Sequence, residues 1–140
     1  ALKISLPNRV LYDSGQAVLR PDALPFLTGV ADSLSAFPDA FFEIHGYTDN
    51  TTMTNTTLFR DNKDLSYARA DAVMRYVSAS SSINLVRFQS VGHGAGQPVA
   101  TNTTPEGRLS NRRVEIYIRG LLTDGEVDAL KDQIKSLADN

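Results

Sequence analysis

The chain contains no cysteine. Disulfides and thiolate metal sites are therefore excluded. The compartment stays open, because periplasmic and cytosolic proteins alike can lack the residue. No apolar run approaches the about 18 residues that mark a membrane-spanning helix. Positive charge is not in surplus: the net charge is −2, which argues against a general nucleic-acid binder while leaving room for a small basic patch. Histidine is scarce. His45 and His93 show no ligand spacing, a poor basis for zinc, and neither a metal nor a cofactor is expected. No signal peptide and no internal repeat is visible. The chain opens directly on the alternating Leu2-Lys3-Ile4-Ser5-Leu6, and the expectation is a piece of a longer protein.

What is present is ordinary in bulk. A chain of 140 residues, 41% apolar and 21% charged, is most economically one domain with a real core. Leu2, Ile4 and Leu6 alternate as in a half-buried strand, and Val10-Leu11-Tyr12 reads as a second. Asp13-Ser14-Gly15 is turn chemistry. Pro21 opens an amphipathic helix expected over 21–36. A strand around Phe42 and Ile44 runs to about Tyr47. Residues 50–61 are polar and β-branched without period, a surface loop. A helix is expected from Asn62 to about Ser80, with Asn62 or Asp64 as its N-cap. Strands follow at 85–91 and around Val114, Ile116 and Ile118. Thr123-Asp124-Gly125-Glu126 resembles a capping box, opening a tail helix with Val127, Leu130, Ile134 and Leu137 in one stripe. This order predicts an α+β fold, a mixed sheet with helices on one face. The expected division is a domain over 1–120 and a helical extension over 121–140.

Two charges stand out in this frame. Asp49 sits in Gly46-Tyr47-Thr48-Asp49-Asn50, just after a strand. Arg69 sits in Leu65-Ser66-Tyr67-Ala68-Arg69-Ala70, on the same helical arc as Leu65, Ala68, Ala72, Val73 and Tyr76. A charge on a core-facing arc is costly unless it is paired or emerges at the helix end. Opposite charges at the ends of rigid elements suit a zwitterion that carries an ammonium and a carboxylate. The expectation is that both heads face one groove, separated by the width of an amino acid rather than tightly paired.

Further motifs extend the pattern: Tyr12-Asp13-Ser14-Gly15, Asn62 ahead of Leu65-Ser66, Val91-Gly92-His93-Gly94, Gln97-Pro98-Val99-Ala100, Asn102-Thr103-Thr104, and Glu106-Gly107-Arg108 followed by Asn111-Arg112-Arg113-Val114. Taken in order, they resemble the OmpA-like (OmpA/MotB/Pal) peptidoglycan-associating domain over roughly residues 8–119. The resemblance implies a βαβαβ core and a periplasmic module of a membrane-attached protein. Such a module binds peptidoglycan without cleaving it, through the diaminopimelate of the stem peptide. It implies Asp49 and Arg69 as the clamping pair, with Thr48 and Asn50 flanking. Asn62, Leu65 and Ser66 would line the groove, Arg112 would add a carboxylate contact, and Asp13 would be the acidic residue of the first turn. Tyr47 stands where the family often has histidine, and His45 lies two residues earlier. The long 51–61 loop and Thr103-Thr104-Pro105-Glu106-Gly107-Arg108 look closer to the MotB-like branch of flagellar stators, whose members work as dimers.

Other readings compete. Arg69 could be a structural ion-pair residue and Asp49 a turn residue. One of Arg112 and Arg113 is expected to brace the sheet or pair with Glu115, and Asn111 to hold a loop. Ser14, Ser66 and Ser90 lack a nucleophile-elbow context. Asp13 and Asp49 could meet as glycosidase carboxylates, but the basic residues would then lack a role. No catalytic residue is assigned. The alternative function is a dimerisation or interaction module of an envelope complex with a weak or regulated wall site.

Overall fold

The computed structural model describes residues 2–13, 15–37, 39–51, 58–120 and 123–138. Four strands among them, β1 (Leu2–Pro7), β2 (Phe41–Tyr47), β3 (Phe88–Gly92) and β4 (Arg113–Arg119), form one sheet in the order β1-β4-β2-β3. β4 runs antiparallel to both its neighbours, and β2 runs parallel to β3. Alternation sorts the side chains. Phe42 lies opposite Ile118, Ile44 opposite Ile116, and Leu6 opposite Val114, and all are buried. Onto this face α2 (Leu24–Leu34) brings Leu27, Val30, Ala31 and Leu34, and α3 (Asn62–Ala79) brings Ala70, Val73 and Val77. Each fully buried Val, Leu or Ile contributes about 1.5–3 kcal/mol. The intervening strand residues, among them Glu43, His45, Tyr47, Arg113, Glu115 and Tyr117, form the opposite, polar face. The expected mixed sheet with helices on one face is the fold observed.

Two glycines let α3 approach closely. A Cβ on Gly46 would overlap the Ser66 carbonyl, and one on Gly92 would stand 2.7 Å from the Lys63 carbonyl oxygen. The first turns of α3 thus lie directly on the carboxyl ends of β2 and β3, which puts Arg69 beside the residues that follow β2.

Several elements differ from the sequence pattern. The second apolar run is not a strand. Asn8–Leu11 form a short helix, α1, and only Tyr12 keeps extended geometry, in an isolated bridge to Leu19. Pro7 closes β1, since it cannot donate to a ladder, and the Asn8 N–H turns to the Arg112 carbonyl at 2.9 Å. Pro21–Ala23 and Leu85–Arg87 are 3₁₀ turns, which shorten the neighbouring helix and strand. The N-cap of α3 is Asp61, which accepts the Asp64 N–H at 2.9 Å. The buried side of α3 centres on Val73 and includes Ser66, Ala70 and Val77, while Ala68, Ala72 and Tyr76 are only half-buried.

A further helix, α4 (Pro105–Asn111), precedes β4 and was not expected. Thr104 caps it, accepting the Gly107 N–H at 3.0 Å, and Pro105 occupies its first turn. The tail helix α5 (Asp124–Ala138) begins as its capping pattern predicts, with the Glu126 N–H donating to the Thr123 hydroxyl at 3.0 Å. It packs on α2. Leu130 and Ile134 are buried, and Leu137 fills the space over Gly29. Of the Thr-rich loop expected over 50–61, residues 52–57 lie outside the described residues.

Candidate functional site

The carboxyl end of β2 carries the site. Tyr47 is its last residue, and Asn8 ties it in place: the Asn8 amide donates to the Tyr47 carbonyl at 3.1 Å. Thr48 is anchored next, its backbone N–H donating to the Gly94 carbonyl at 2.7 Å and its hydroxyl to the Asp49 carbonyl at 2.8 Å. Asp49 is then held almost out of solvent, 4% exposed. Its Oδ1 accepts the Thr51 N–H at 2.8 Å. Its Oδ2 accepts both Nε and Nη2 of Arg112, at 2.6 and 2.5 Å. Burial alone would raise the carboxyl pKa. The Thr51 N–H and the Arg112 guanidinium outweigh it, so Asp49 titrates below the ordinary aspartate range.

Arg69 approaches from α3 and is 6% exposed. Its Nε donates to the Gln16 carbonyl at 2.8 Å, and its guanidinium carbon lies 5.1 Å from the centre of the Tyr12 ring. The Tyr12 hydroxyl in turn donates to the Arg69 carbonyl. The guanidinium is therefore gripped by its inner edge. Its two terminal nitrogens have neither a carboxylate within 4.0 Å nor a hydrogen bond among the described residues. Burial pulls the Arg69 pKa down, and the opposing influences of Tyr12, Arg112 and Asp49 all reach it. The site thus holds two guanidiniums and one carboxylate: Arg112 takes Asp49, and Arg69 is left as an oriented fork, the donor geometry that matches a carboxylate.

The remaining predicted residues fall into distinct places. Asn50 and Asn62 line an open cleft beside Asp49, and the Asn62 amide donates to the Thr51 carbonyl at 2.9 Å. Leu65 is buried under the site. Ser66 is fully buried, and its hydroxyl is occupied by the protein, accepting the Gly94 N–H and donating to the Lys63 carbonyl, both at 2.9 Å. Asp13 stands away from Asp49 and Arg69, with its exposed carboxylate 4.0 Å from Arg20. Its backbone contributes instead: the Asp13 carbonyl accepts the Gln16 N–H at 3.1 Å, closing the turn that delivers the Gln16 carbonyl to Arg69.

The two arginines before Val114 divide as strand alternation requires. Arg113 joins Glu115 at 2.9 Å on the polar sheet face and lies 3.8 Å over the Tyr47 ring. Arg112, one residue earlier, turns to Asp49. Asn111 uses its amide to hold the backbone of Val99 and Ala100. Sequence reasoning passed over Gln16, Thr51 and Gly94, which act through backbone atoms and leave no side-chain signal, and Tyr12 as the support of Arg69. Among the described residues no group of three or more His, Cys, Asp or Glu could hold a metal ion.

Comparison with known proteins identifies the family and the fold. The sequence signature of the OmpA family matches residues 11–112. The probable lipoprotein YiaD of Escherichia coli (strain K12) is 36% identical over 118 residues, covering 84% of this chain and 51% of that protein. The peptidoglycan-binding protein ArfA of Mycobacterium tuberculosis is 40% identical over 109 residues, covering 78% of this chain and 32% of that protein. The chain thus spans about a third to a half of the curated relatives it matches. Among solved structures, a putative MotB-like protein from Desulfovibrio vulgaris superposes with a TM-score of 0.77 at 30% identity, covering 83% of this chain and 73% of that one. The cell wall anchor of the T6SS from Pseudomonas aeruginosa gives 0.75 at 33%, covering 81% and 78%. By sequence and by fold, the chain belongs to the OmpA family.

Proposed function

We propose that this domain is a non-catalytic anchor that binds peptidoglycan without covalent bonds and attaches a larger envelope protein to the cell wall. The contact point is the zwitterionic end of diaminopimelate in the stem peptide: Asp49 takes the ammonium, and Arg69 takes the carboxylate with help from Arg112. The observation that carries this reading is the unpaired guanidinium of Arg69, nearly buried and oriented, beside a carboxylate that is already charge-matched. Arg69, Arg112 and Asp49 together leave one excess positive charge on the guanidinium side, which attracts a ligand carboxylate, while the ligand ammonium meets the same carboxylate that Arg112 holds. Relatives named as a peptidoglycan-binding protein and as a cell wall anchor support the assignment.

The setting follows from the same reading: the periplasm, as part of a membrane-attached protein, with a MotB-like stator as the favoured parent and a homodimer as the working form. The apolar stripe of α5 is covered by α2 within the chain, so the stripe does not call for a partner subunit. The test is pull-down with purified wall sacculi. Wild type should sediment with them, Asp49→Ala and Arg69→Ala should remain in solution with unchanged circular dichroism, and no soluble wall fragments should be released. Sedimentation of both variants like wild type would overturn the site.

A further inference from the structure

Beside Asp49 the surface opens into a cleft of about 370 Å³, lined by Asn50, Arg60, Asp61, Asn62, Lys63 and the turn His93–Ala95. Asp49, Arg69 and Arg112 do not line it, but it borders the segment that carries Asp49. Asn50 follows Asp49 in the chain, Thr48 is bonded to Gly94, and Asn62 to Thr51.

The charges in the cleft are unevenly matched. Arg60 is neutralised by Asp64, at 2.7 Å. Asp61 is committed as the cap of α3. Lys63 projects into solvent, and no acidic group lies within 4.0 Å of its ammonium among the described residues. His93 lies against His45. His45 Nδ1 and His93 Nε2 are 2.6 Å apart, the ring planes differ by 11°, and the ring centres are 4.9 Å apart. A centre-to-centre distance that equals the contact plus two ring radii means the imidazoles meet edge to edge in one plane. They share one hydrogen, so they cannot both be protonated without losing the bond. Glu43 accepts from His45 Nε2 at 3.0 Å, and Arg119 keeps Glu43 ionised. Burial and the neighbouring His45 hold His93 below the usual histidine range.

We propose that this cleft is a second subsite for the same ligand: Lys63 takes a further carboxylate one residue away from the zwitterion, between the amides of Asn50 and Asn62. The proposal rests on the zwitterion reading of Asp49 and Arg69. It predicts that the domain distinguishes stem peptides by the state of the carboxyl group next to diaminopimelate.

Calorimetric titration with three probes tests it: free diaminopimelate, a γ-glutamyl-diaminopimelate dipeptide with a free glutamyl α-carboxylate, and the same dipeptide with that carboxyl amidated. Wild type should bind the free-acid dipeptide about two- to fivefold tighter than the amidated one, the range of an exposed ion pair. Lys63→Gln should erase that difference and leave the affinity for free diaminopimelate unchanged. Lys63 is exposed, so the substitution spares the core. Equal binding of the two dipeptides by wild type, or a difference that survives Lys63→Gln, overturns the subsite alone. If Asp49→Asn binds all three probes like wild type, the zwitterion seat is wrong and the subsite falls with it.

Discussion

Replacing Arg69 with alanine separates ligand binding from fold more cleanly than any other change at this site. The wild-type fork is ordered before the ligand arrives, since Nε is fixed on the Gln16 carbonyl at 2.8 Å and the guanidinium rests near the Tyr12 ring. Little entropy is then lost on binding. The substitution removes charge-assisted hydrogen bonds that contribute roughly 1.5–3 kcal/mol, which corresponds to a roughly 10- to 150-fold weaker Kd. The cost to the fold is smaller. The Gln16 carbonyl loses its donor, worth about 0.5–1.5 kcal/mol. A buried cation that burial and Arg112 both disfavour is removed at the same time. Arg69→Lys keeps the charge but cannot hold Gln16 and offer a planar fork together, so it should recover only part of the affinity. Calorimetric titration with meso-diaminopimelate, alongside thermal unfolding, measures both quantities. A Kd for Arg69→Ala within twofold of wild type, in a folded variant, would refute the argument that this guanidinium receives the ligand.

Two further outcomes follow from the structure. The Asp49 carboxyl titrates below its unfolded value of about 4, so its stabilisation is complete above that value and is lost as pH falls through the lower folded one. Urea unfolding from pH 7 to pH 3 should show a shallower acid loss in Asp49→Asn than in wild type, and identical slopes would contradict the ion pair with Arg112. Leu130→Ala should cost about 2–5 kcal/mol, because Leu130 is fully buried where α5 meets α2. Affinity for diaminopimelate should stay the same, and a large loss of binding would mean that α5 contributes to the site.

That Arg69 is held inside the protein was legible, because an arginine on a buried helical arc is an anomaly that needs a reason; its anchor is the Gln16 carbonyl, and Asp49 pairs with Arg112 instead. The roles of Arg112 and Arg113 were also legible as a pair, because adjacent residues at a strand end point to opposite sides, but only the fold shows which arginine meets Asp49. The grip on Arg69 was not visible. It comes from the Gln16 carbonyl, and a carbonyl is the same in every residue type. The helix α1 was hidden because Val10, Leu11 and Tyr12 have the composition of a strand, and Asn8 is held by partners distant in the sequence, its N–H on the Arg112 carbonyl and its amide on the Tyr47 carbonyl. At seven residues α4 is too short to show an apolar period. Thr104, Pro105 and Glu106 did carry its start signal.

The site's economy rests on how Arg112 is placed. A nearly buried aspartate with no partner would be pushed toward its neutral form, and a neutral carboxyl cannot hold an ammonium. Arg112 prevents this by bonding Oδ2, while Thr51 bonds the carboxylate through both its N–H and its side chain. The same arginine is about two-fifths exposed, 43% by side chain, and both of its contacts to Asp49 use Nε and Nη2. Its Nη1 makes no hydrogen bond among the described residues, which in the proposed reading leaves it to join Arg69 on a ligand carboxylate. In the proposed zwitterion reading, Arg112 thus has two roles: it keeps the Asp49 carboxylate ionised for the ammonium, and it stands beside Arg69 for the carboxylate.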